Sequence, residues 1–433
     1  MCDRPLNTTK PTKTRCVPMK MKQREALSLL EDGQSVFLTG PGGVGKTAVL
    51  KSFASNASVN IAITSTTGTS ALLLNGTTLH SFLGIGLGKE SVKKLVDRIT
   101  SQNWLSNRWR LVECLVIDEI SMMHPDLFDK LEEVARIVRR NNDPFGGIQL
   151  ALSGDFLQLP CIGTMNFCFQ AKSWDKCVPN VVYLDEIIRQ DDRKFQRCLN
   201  AVRMGNISKE VLSILDTRVG VELRNSYGIR PTKLYSKNIN VERENNLELD
   251  KLAEEGRDFC AYEMSIEVPA DLRRHKAHLV KKFHNYCPVV ERIELCIGAQ
   301  VMLVKNIDLA CGLANGSRGV VIGFNDASMP VVRFLNGEER AIGMEVWDMD
   351  EKNRRVLRAF QIPLRVAYAI SIHKSQGCSL DYAEIDLSDV FEYGQAYVAL
   401  SRVKSLHGLS IVAIDYKCIQ ADPLAVSYYE SLR

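Results

Sequence analysis

Short apolar runs recur along the chain, and each is followed by a turn rich in glycine, serine, threonine or acidic residues. In the N-terminal part these runs lie at 36–39, 59–64, 113–117 and 149–152. Apolar residues at a spacing of three or four, as at 127–138, predict helices with one buried face between the runs. Buried strands that alternate with amphipathic helices indicate an α/β fold on a parallel sheet.

The same pattern starts again near residue 181 and returns after residue 363, which predicts a second α/β lobe. The segment 256–363 has a different texture, because short β-like runs there alternate with glycine and asparagine turns. Such a segment predicts a small β-barrel inserted into the second lobe. We therefore predict a flexible basic tail over 1–20, a first lobe over 21–180, a second lobe over 181–255 and 364–433, and an inserted barrel-like domain over 256–363.

Composition and charge limit the possible functions only weakly. The chain has 433 residues, of which 45% are hydrophobic and 24% are charged, and its formal net charge is +4. A charge this small does not by itself indicate a nucleic-acid partner. No apolar run approaches the ~18 residues of a membrane span, so we expect a soluble protein.

The cysteines do not predict disulfides or a metal centre. The 13 cysteines include no C-x-x-C pair and lie among apolar neighbours, which favours reduced thiols. His275, His278, His284 and Cys287 form the one cluster that suggests zinc. Their spacing fits no zinc pattern, and the surrounding basic side chains would repel a cation.

Residues 40–47 read GPGGVGKT and follow the first predicted strand directly. Their spacing fits a phosphate-binding loop, in which glycines let several backbone N–H groups point at one phosphate. Lys46 would neutralise the β- and γ-phosphates, and the Thr47 hydroxyl would ligate Mg²⁺. The predicted nucleoside triphosphate site consists of Gly40, Pro41, Gly42, Gly43, Val44, Gly45, Lys46, Thr47 and Ala48.

Acidic and amide side chains follow two further predicted strands. Asp118 and Glu119 come directly after the run at 113–117, where two acids are costly unless they face a cation or water. The Asp118 carboxylate is then expected to face Mg²⁺, and Glu119 is expected to be the base or orienting group for the attacking water. After the next strand, the amide of Gln158 could sense the γ-phosphate, with a purely structural turn as the alternative.

Three polar stretches are candidates for contact with a nucleic acid. They are Thr66 and Thr67 after the second strand, His80, Ser81 and Phe82 in a glycine-rich stretch, and His373, Lys374, Ser375 and Gln376 after a strand of the second lobe. Open α/β sheets place ligand contacts at such strand ends, and aromatic side chains stack on unpaired bases. A plain turn at residues 66–67 and burial of Phe82 are the structural alternatives.

Taken in order, these motifs resemble those of superfamily-one helicases. The matching stretches read GPGGVGKT, VIDEISMM, LSGDFLQLP, EIIRQ, AISIHKSQG and AYVALSRVKSLHGL. More narrowly they resemble the petite-integration-frequency (Pif) DNA helicases, a RecD-like branch whose signature is similar to residues 129–149. GIGLG, GAQVMLVKN and GLANGSRGVVIGF also match. The resemblance covers about residues 23–432, and it is specific because many motifs occur in register.

The resemblance implies two RecA-like lobes with ATP and Mg²⁺ in the cleft between them, and a small inserted β-barrel. It assigns the adenine-reading glutamine to Gln23 and the arginines that reach the γ-phosphate to Arg189 and Arg402. It also assigns contacts with the DNA strand to the three polar stretches, and a small wedge insertion to about 84–109.

By the same resemblance we expect an ATP-dependent helicase that moves 5′ to 3′ on single-stranded DNA. Duplexes are its expected substrates, together with G-quadruplexes and RNA–DNA hybrids, and the expected partners are single-stranded DNA and DNA junctions. We expect a monomer on DNA, with no membrane association, in the nucleus or wherever the DNA lies. A mitochondrial location is an alternative, although residues 1–20 lack a convincing transit-peptide pattern.

Two features depart from the family's pattern. Cys161 stands where the family usually has a second proline after QLP. The extended N-terminal region of many members is missing, which predicts a near-minimal helicase core.

Two other functions stay open at this point. A DNA translocase or remodelling ATPase that displaces bound proteins without unwinding would carry the same motifs. A nucleic-acid binding module without enzymatic activity would need an inactive ATP site, whereas Lys46, Thr47, Asp118, Glu119 and Arg402 are all present.

Overall fold

The computed structural model describes residues 19–432 except 75, 162–165, 224–228, 285–286, 288, 309 and 352–353. Most of the predicted tail over 1–20 therefore lies outside the described residues. The helices are α1 (Met21–Glu31), α2 (Lys46–Asn56), α3 (Gly68–Leu73), α4 (Leu79–Leu83), α5 (Val92–Thr100), α6 (Asn103–Leu111), α7 (Pro125–Arg139), α8 (Trp174–Cys177), α9 (Arg193–Arg203), α10 (Lys209–Asp216), α11 (Asn238–Glu254), α12 (Lys276–His284), α13 (Gln395–Leu400) and α14 (Pro423–Ser431). No helix in this part of the chain is both long and apolar enough to cross a membrane.

The strands of the N-terminal half form one parallel sheet. They are β1 (Val36–Thr39), β2 (Ile61–Ser65), β3 (Thr77–Thr78), β4 (Cys114–Asp118), β5 (Gln149–Gly154) and β6 (Asn180–Tyr183). Their order across the sheet is β3-β2-β4-β5-β1-β6, with every neighbouring pair parallel. The central strands are buried on both faces, which is why they read as continuous apolar runs.

Alternate residues of β1 enter two different hydrophobic cores. Val36 and Leu38 pack in the core that contains residues of α1 and α2. Phe37 packs in the core on the other face, with residues of α5, α6 and α7. Helices therefore cover both faces of the sheet, as a parallel sheet requires, and the predicted α/β class is confirmed.

The strands of the C-terminal half fall into two groups. The inserted segment contains β8 (Phe259–Glu263), β9 (Ser265–Glu267), β10 (Arg292–Cys296), β11 (Gln300–Leu303), β12 (Arg318–Phe324), β13 (Pro330–Phe334), β14 (Glu339–Ala341), β15 (Glu345–Glu351), β16 (Arg354–Gln361) and β17 (Leu364–Val366). A second parallel sheet, in the order β18-β7-β19-β20, contains β7 (Thr232–Tyr235), β18 (Ala369–Ser371), β19 (Ala383–Leu387) and β20 (Leu409–Ile414). This sheet corresponds to the predicted second lobe.

The described residues of the inserted segment form no closed barrel, so the predicted β-barrel is not confirmed. Five strands form an open antiparallel sheet in the order β14-β13-β12-β11-β17, while β15-β16-β9 and β10-β8 form two further sheets. A barrel needs its first and last strands to pair, and β14 and β17 stay at opposite edges. Apolar side chains from the five-stranded sheet and from β8 and β10 nevertheless share one hydrophobic core.

Three elements cross the predicted domain boundaries. Strand β17 begins after residue 363 but pairs with β11 of the inserted segment. Strand β6 pairs with β1, although the boundary was expected at residue 180. Helix α14 belongs by sequence to the second lobe, but Ala425 and Tyr429 are buried in a core of the first sheet. The boundaries themselves stay a prediction.

A buried ion pair joins α9 to the turn after β5. The guanidinium of Arg203 donates to both carboxylate oxygens of Asp155, at 2.9 and 2.7 Å, and the two side chains are 1% and 0% exposed. Burial alone would raise the pKa of Asp155, but the charge and hydrogen bonds of Arg203 bring that pKa below its usual value. Because α9 also packs in the core of the second sheet through Leu199 and Val202, the pair ties the two sheets together.

The C-terminal helix completes this cluster. The Tyr429 ring centre lies 4.5 Å from the guanidinium carbon of Arg203. The Tyr429 hydroxyl shares a hydrogen bond of 2.6 Å with Thr39 Oγ1 and accepts one of 3.0 Å from the N–H of Phe156. Thr39 is the last residue of β1, so the cluster also fixes the strand end that leads into GPGGVGKT.

Arg203→Met should destabilise the protein strongly, because it leaves the Asp155 carboxylate buried without its counter-charge. Breaking a buried pair in this way costs about 3–5 kcal/mol. Denaturant unfolding of Arg203→Met and of Arg197→Met, an exposed position on the same helix, provides the comparison. Equal unfolding free energies for the two variants would contradict the structural role of the pair.

Candidate nucleotide site and nucleic-acid interface

The phosphate-binding loop connects β1 to α2 and requires its glycines. Gly43 and Gly45 have φ of 84° and 86°, and Gly45 caps the N-terminus of α2. A Cβ on Gly43 would lie 2.5 Å from Cβ of Arg189, and one on Gly45 would lie 2.6 Å from Nε2 of Gln23. Side chains at these positions would be strained and would also collide with the residues that pack on the loop.

Lys46 is held against the loop that precedes it. Its Nζ donates hydrogen bonds to the carbonyl oxygens of Gly40 and Pro41, at 2.7 and 2.9 Å. Burial lowers the pKa of Lys46, and the nearby charges of Asp155 and Glu119 act in the opposite direction. The half-buried lysine thus places its ammonium group beside the phosphate-binding loop.

Gln23 packs under the same loop from α1. Its Nε2 donates to the carbonyl oxygen of Val44 at 2.9 Å, and its Oε1 accepts from the N–H of Lys20 at 2.9 Å. The amide therefore supports the loop through backbone groups. Its role in reading adenine stays a prediction.

Asp118 ends β4 with both carboxylate oxygens hydrogen-bonded. The Ser70 hydroxyl donates to Oδ2 at 2.5 Å, and the Ser153 hydroxyl donates to Oδ1. Neither serine was expected from the sequence, because each comes from a different element, α3 and β5, and no motif spacing links them to Asp118. Two fixed donors hold this carboxylate in one orientation.

Glu119 follows in an uncommon backbone conformation. Its φ of 56° is in the left-handed region, which a residue with a side chain adopts only when its surroundings impose it. Burial and the adjacent negative charge of Asp118 raise its pKa to about 7. The Gln376 amide donates to its Oε2 at 3.0 Å.

Thr47 and Asp118 are the predicted ligands of Mg²⁺, and both line the cavity described below. Within the described residues, no three histidine, cysteine or acidic side chains form a metal-binding group. Mg²⁺ usually takes one or two carboxylates and completes its shell with water and substrate phosphates. One hydroxyl and one hydroxyl-supported carboxylate therefore fit a nucleotide-bound Mg²⁺.

Two arginines reach the phosphate-binding loop from beyond the first sheet. A Cβ on Gly42 would lie 3.2 Å from a terminal nitrogen of Arg402, and the N–H of Arg189 donates to the Gly43 carbonyl at 3.2 Å. Burial and the charge of Arg402 lower the pKa of Arg189 to about 9. Among the described residues neither guanidinium forms an ion pair, and their side-chain hydrogen bonds go to Ser401 and Val398.

Tyr397 makes a further contact that the sequence did not predict. The N–H of Gly42 donates to its hydroxyl at 2.8 Å. Tyr397 lies on α13 within the stretch AYVALSR, which ends on Arg402. The motif could therefore be identified from the sequence, but the contact of the Tyr397 side chain with Gly42 could not.

These groups converge on a cavity of about 820 Å³. The predicted nucleotide-site residues in its lining are Gln23, Gly42, Gly43, Gly45, Lys46, Thr47, Ala48, Asp118, Glu119, Gln158, Arg189 and Arg402. The remaining ones, Gly40, Pro41 and Val44, contribute the carbonyl groups that hold Lys46 and Gln23. The roles assigned to all these residues stay predictions.

Two of the three predicted DNA stretches lie beside Glu119. Thr67, His373, Lys374 and Gln376 line the same cavity, and the Thr66 hydroxyl donates to the Glu119 carbonyl at 2.7 Å. Ser375 is buried, and its hydroxyl donates to the Ile372 carbonyl, so it supports the turn from inside.

The third stretch lies elsewhere. His80, Ser81 and Phe82 are on α4 and are not part of the described lining of that cavity. Burial lowers the pKa of His80. The half-buried Phe82 ring faces the guanidinium of Arg108 at 5.1 Å, so one of its faces is already covered by a cation. A stacking role for Phe82 stays a prediction.

A second cavity of about 1000 Å³ lies between α11 and the inserted strands. Lys374 lines both cavities, and Arg365 on β17 lines this one. Burial lowers the pKa of Arg365, and burial together with the charge of Arg365 lowers that of Lys374. Within the described residues the Arg365 guanidinium forms no ion pair or hydrogen bond, so it is free to hold an anion. Sequence reasoning missed Arg365, which stands alone in an otherwise apolar run.

Comparison with known proteins adds family-level information to this geometry. A family model described as PIF1-like helicase matches residues 19–216, and one described as DNA helicase Pif1, 2B domain, matches residues 281–324. The ATP-dependent DNA helicase PIF1 of Xenopus laevis is 40% identical over 424 residues, which cover 96% of this chain. The chain spans only 65% of that relative's length.

Solved structures agree with the sequence comparisons. The Pif1 helicase from Candida albicans has a TM-score of 0.79 and 31% identity, over 96% of this chain and 100% of that one. Bacteroides Pif1 bound to single-stranded DNA has a TM-score of 0.64 and 27% identity, over 96% of this chain and 97% of that one. The two parallel sheets are therefore RecA-like lobes, and the chain belongs to the Pif1-like helicase family.

Proposed function

We propose that this protein is an ATP-hydrolysing DNA helicase that moves 5′ to 3′ on single-stranded DNA and separates duplexes. The observation that carries the proposal is the position of Arg189 and Arg402, which lie at the phosphate-binding loop and have no acidic partner among the described residues. A buried cation without a counter-ion is costly, so such a cleft favours a polyanionic ligand. A nucleoside triphosphate supplies that charge, and relatives of this chain are named ATP-dependent helicases.

In this proposal the first lobe holds the phosphates and the second lobe completes the chemistry. Backbone N–H groups of the loop and Lys46 bind the β- and γ-phosphates, and Gln158 contacts the γ-phosphate. Bound Mg²⁺, held by Thr47 and Asp118, would neutralise charge that develops on the phosphate oxygens. Glu119 orients the attacking water and accepts its proton.

The arginines make hydrolysis depend on the distance between the lobes. An arginine that stabilises the transition-state charge is worth roughly 10³–10⁵ in rate. If the lobes separate, Arg402 leaves the phosphates and its contribution is lost, while the Arg189 side chain loses its hydrogen bond to the Ser401 carbonyl. Cycles of closing and opening would then move the two lobes relative to each other along a bound strand.

We propose that the strand contacts the cavity lined by Arg365 and Lys374. Two neighbouring cations in a cleft suit a phosphate backbone, and single-stranded DNA is bound by the Bacteroides relative. Strand contacts at Thr66, Thr67 and the His80–Phe82 stretch, and a wedge at about 84–109, belong to the same proposal. G-quadruplexes and RNA–DNA hybrids are further proposed substrates, in the nucleus or wherever that DNA lies.

Strand displacement on tailed duplexes tests the proposed function. With ATP and Mg²⁺, the protein should separate a duplex with a 5′ single-stranded tail and leave the same duplex with a 3′ tail intact. Lys46→Ala should bind the 5′ tail as the natural protein does but neither hydrolyse ATP nor separate strands, because the phosphates lose their fixed cation.

The other outcomes of this assay separate the alternatives. A preference for the 3′ tail would contradict the proposed direction. DNA-stimulated ATP hydrolysis without strand separation would instead favour a translocase that displaces bound proteins. ATP hydrolysis by Lys46→Ala at the natural rate would overturn the proposed site.

Arg365→Gln should weaken the binding of single-stranded DNA to a similar degree for every sequence. Loss of one phosphate contact should also reduce the slope of log affinity against log salt by about 0.7. Fluorescence anisotropy with a labelled oligonucleotide at several salt concentrations measures both effects. The matched control is Arg333→Gln, on an exposed part of the inserted sheet where Arg333 pairs with Glu339. An unchanged salt slope in Arg365→Gln would exclude this contact.

A further inference from the structure

Gln376 connects the second lobe directly to the candidate base. Its Nε2 donates to Oε2 of Glu119 at 3.0 Å, across 257 residues of sequence. This is a hydrogen bond to an acidic side chain, which is stronger than one between neutral groups when the acid is ionised. The hydrogen bond also joins two parts of the chain with different predicted roles. Residues 373–376 are predicted to contact DNA, and Glu119 is predicted to act in ATP hydrolysis.

The turn that carries Gln376 is anchored firmly in the second lobe. The N–H of Ile372 donates to the carbonyl of Tyr235 on β7, and the Ser375 hydroxyl donates back to the Ile372 carbonyl. His373 Nε2 lies 2.9 Å from a carboxylate oxygen of Glu392. The Gln376 amide therefore follows the position of the second sheet.

The backbone of Glu119 is fixed equally well in the first lobe. Its carbonyl accepts hydrogen bonds from the Thr66 hydroxyl at 2.7 Å and from the N–H of Met122 at 3.1 Å. Its carboxylate extends from this fixed point into the cleft. The direction of that carboxylate then depends on the group that donates to it, which is the Gln376 amide.

We propose that Gln376 is a positioning residue for ATP hydrolysis, which holds the Glu119 carboxylate in its productive orientation. The inference rests on the proposed function and adds to it a link between the second lobe and the candidate base. Glu119 is aligned when the 373–376 turn lies against the first lobe and loses its alignment when the turn moves away.

The same turn also faces the proposed DNA path. Lys374, two residues before Gln376, lines both the nucleotide cavity and the cavity that contains Arg365. A strand that binds Lys374 acts on the short turn that carries the Gln376 amide. Stimulation of ATP hydrolysis by single-stranded DNA should therefore pass in part through Gln376.

Gln376→Met tests this inference, because methionine has a similar length but cannot donate to Glu119. In the full-length chain, kcat for ATP with saturating single-stranded DNA should fall about tenfold, the effect of one lost hydrogen bond to a charged group. KM for ATP and Kd for the oligonucleotide should stay nearly unchanged. Gln376→Glu should lose more activity, because its carboxylate would face that of Glu119. The control is Gln420→Met, at an exposed position.

A double-mutant cycle shows whether Gln376 acts through Glu119. Single-turnover hydrolysis should be the same for Glu119→Gln as for Glu119→Gln combined with Gln376→Met. If Gln376→Met reduced the hydrolysis rate by the same factor in the natural protein and in Glu119→Gln, the inference would be overturned. A reduced rate that is explained by a higher KM for ATP or Kd for the oligonucleotide would overturn it too. A natural protein without DNA-stimulated hydrolysis would refute the proposed function itself, whereas normal stimulation in Gln376→Met would refute this inference alone.

Discussion

The positive charge of Arg189 and Arg402 is the constraint on which the other contacts of the cleft depend. Both guanidinium groups lie within reach of the phosphate-binding loop, and neither has an acidic partner among the described residues. Burial lowers the pKa of both arginines, and the charge of Arg402 lowers that of Arg189 further. An anion between the lobes would relieve this cost, so ligand binding and lobe arrangement are linked energetically.

Three contacts between the lobes end at elements beside the nucleotide site. Arg203 pairs with Asp155, Tyr397 meets the N–H of Gly42, and Gln376 donates to Glu119. The first is a buried ion pair between α9 and the turn after β5. The other two are single hydrogen bonds, which cost far less to break and remake.

The local elements could be predicted from the sequence because they depend on short-range patterns. Strand β1 has the predicted bounds, and α7 encloses the predicted apolar stretch at 127–138. The partners of Asp118 and Asp155 could not be predicted, because Ser70 and Arg203 approach them only through the tertiary fold. The predicted closed barrel is not confirmed for a similar reason. Alternating β-runs indicate strands, but closure depends on pairing between the first and last strands, which no local pattern encodes.

The proposed function requires the second lobe to supply charge to the transition state of hydrolysis. Titration calorimetry with ADP, and with ADP plus aluminium fluoride, tests it when Mg²⁺ and single-stranded DNA are present. The natural protein should bind the fluoride complex roughly 10²-fold or more tightly than ADP, as transition-state analogues do. Arg402→Ala should lose that added affinity and bind ADP normally. If Arg402→Ala weakened ADP and the fluoride complex equally, Arg402 would not act in the transition state.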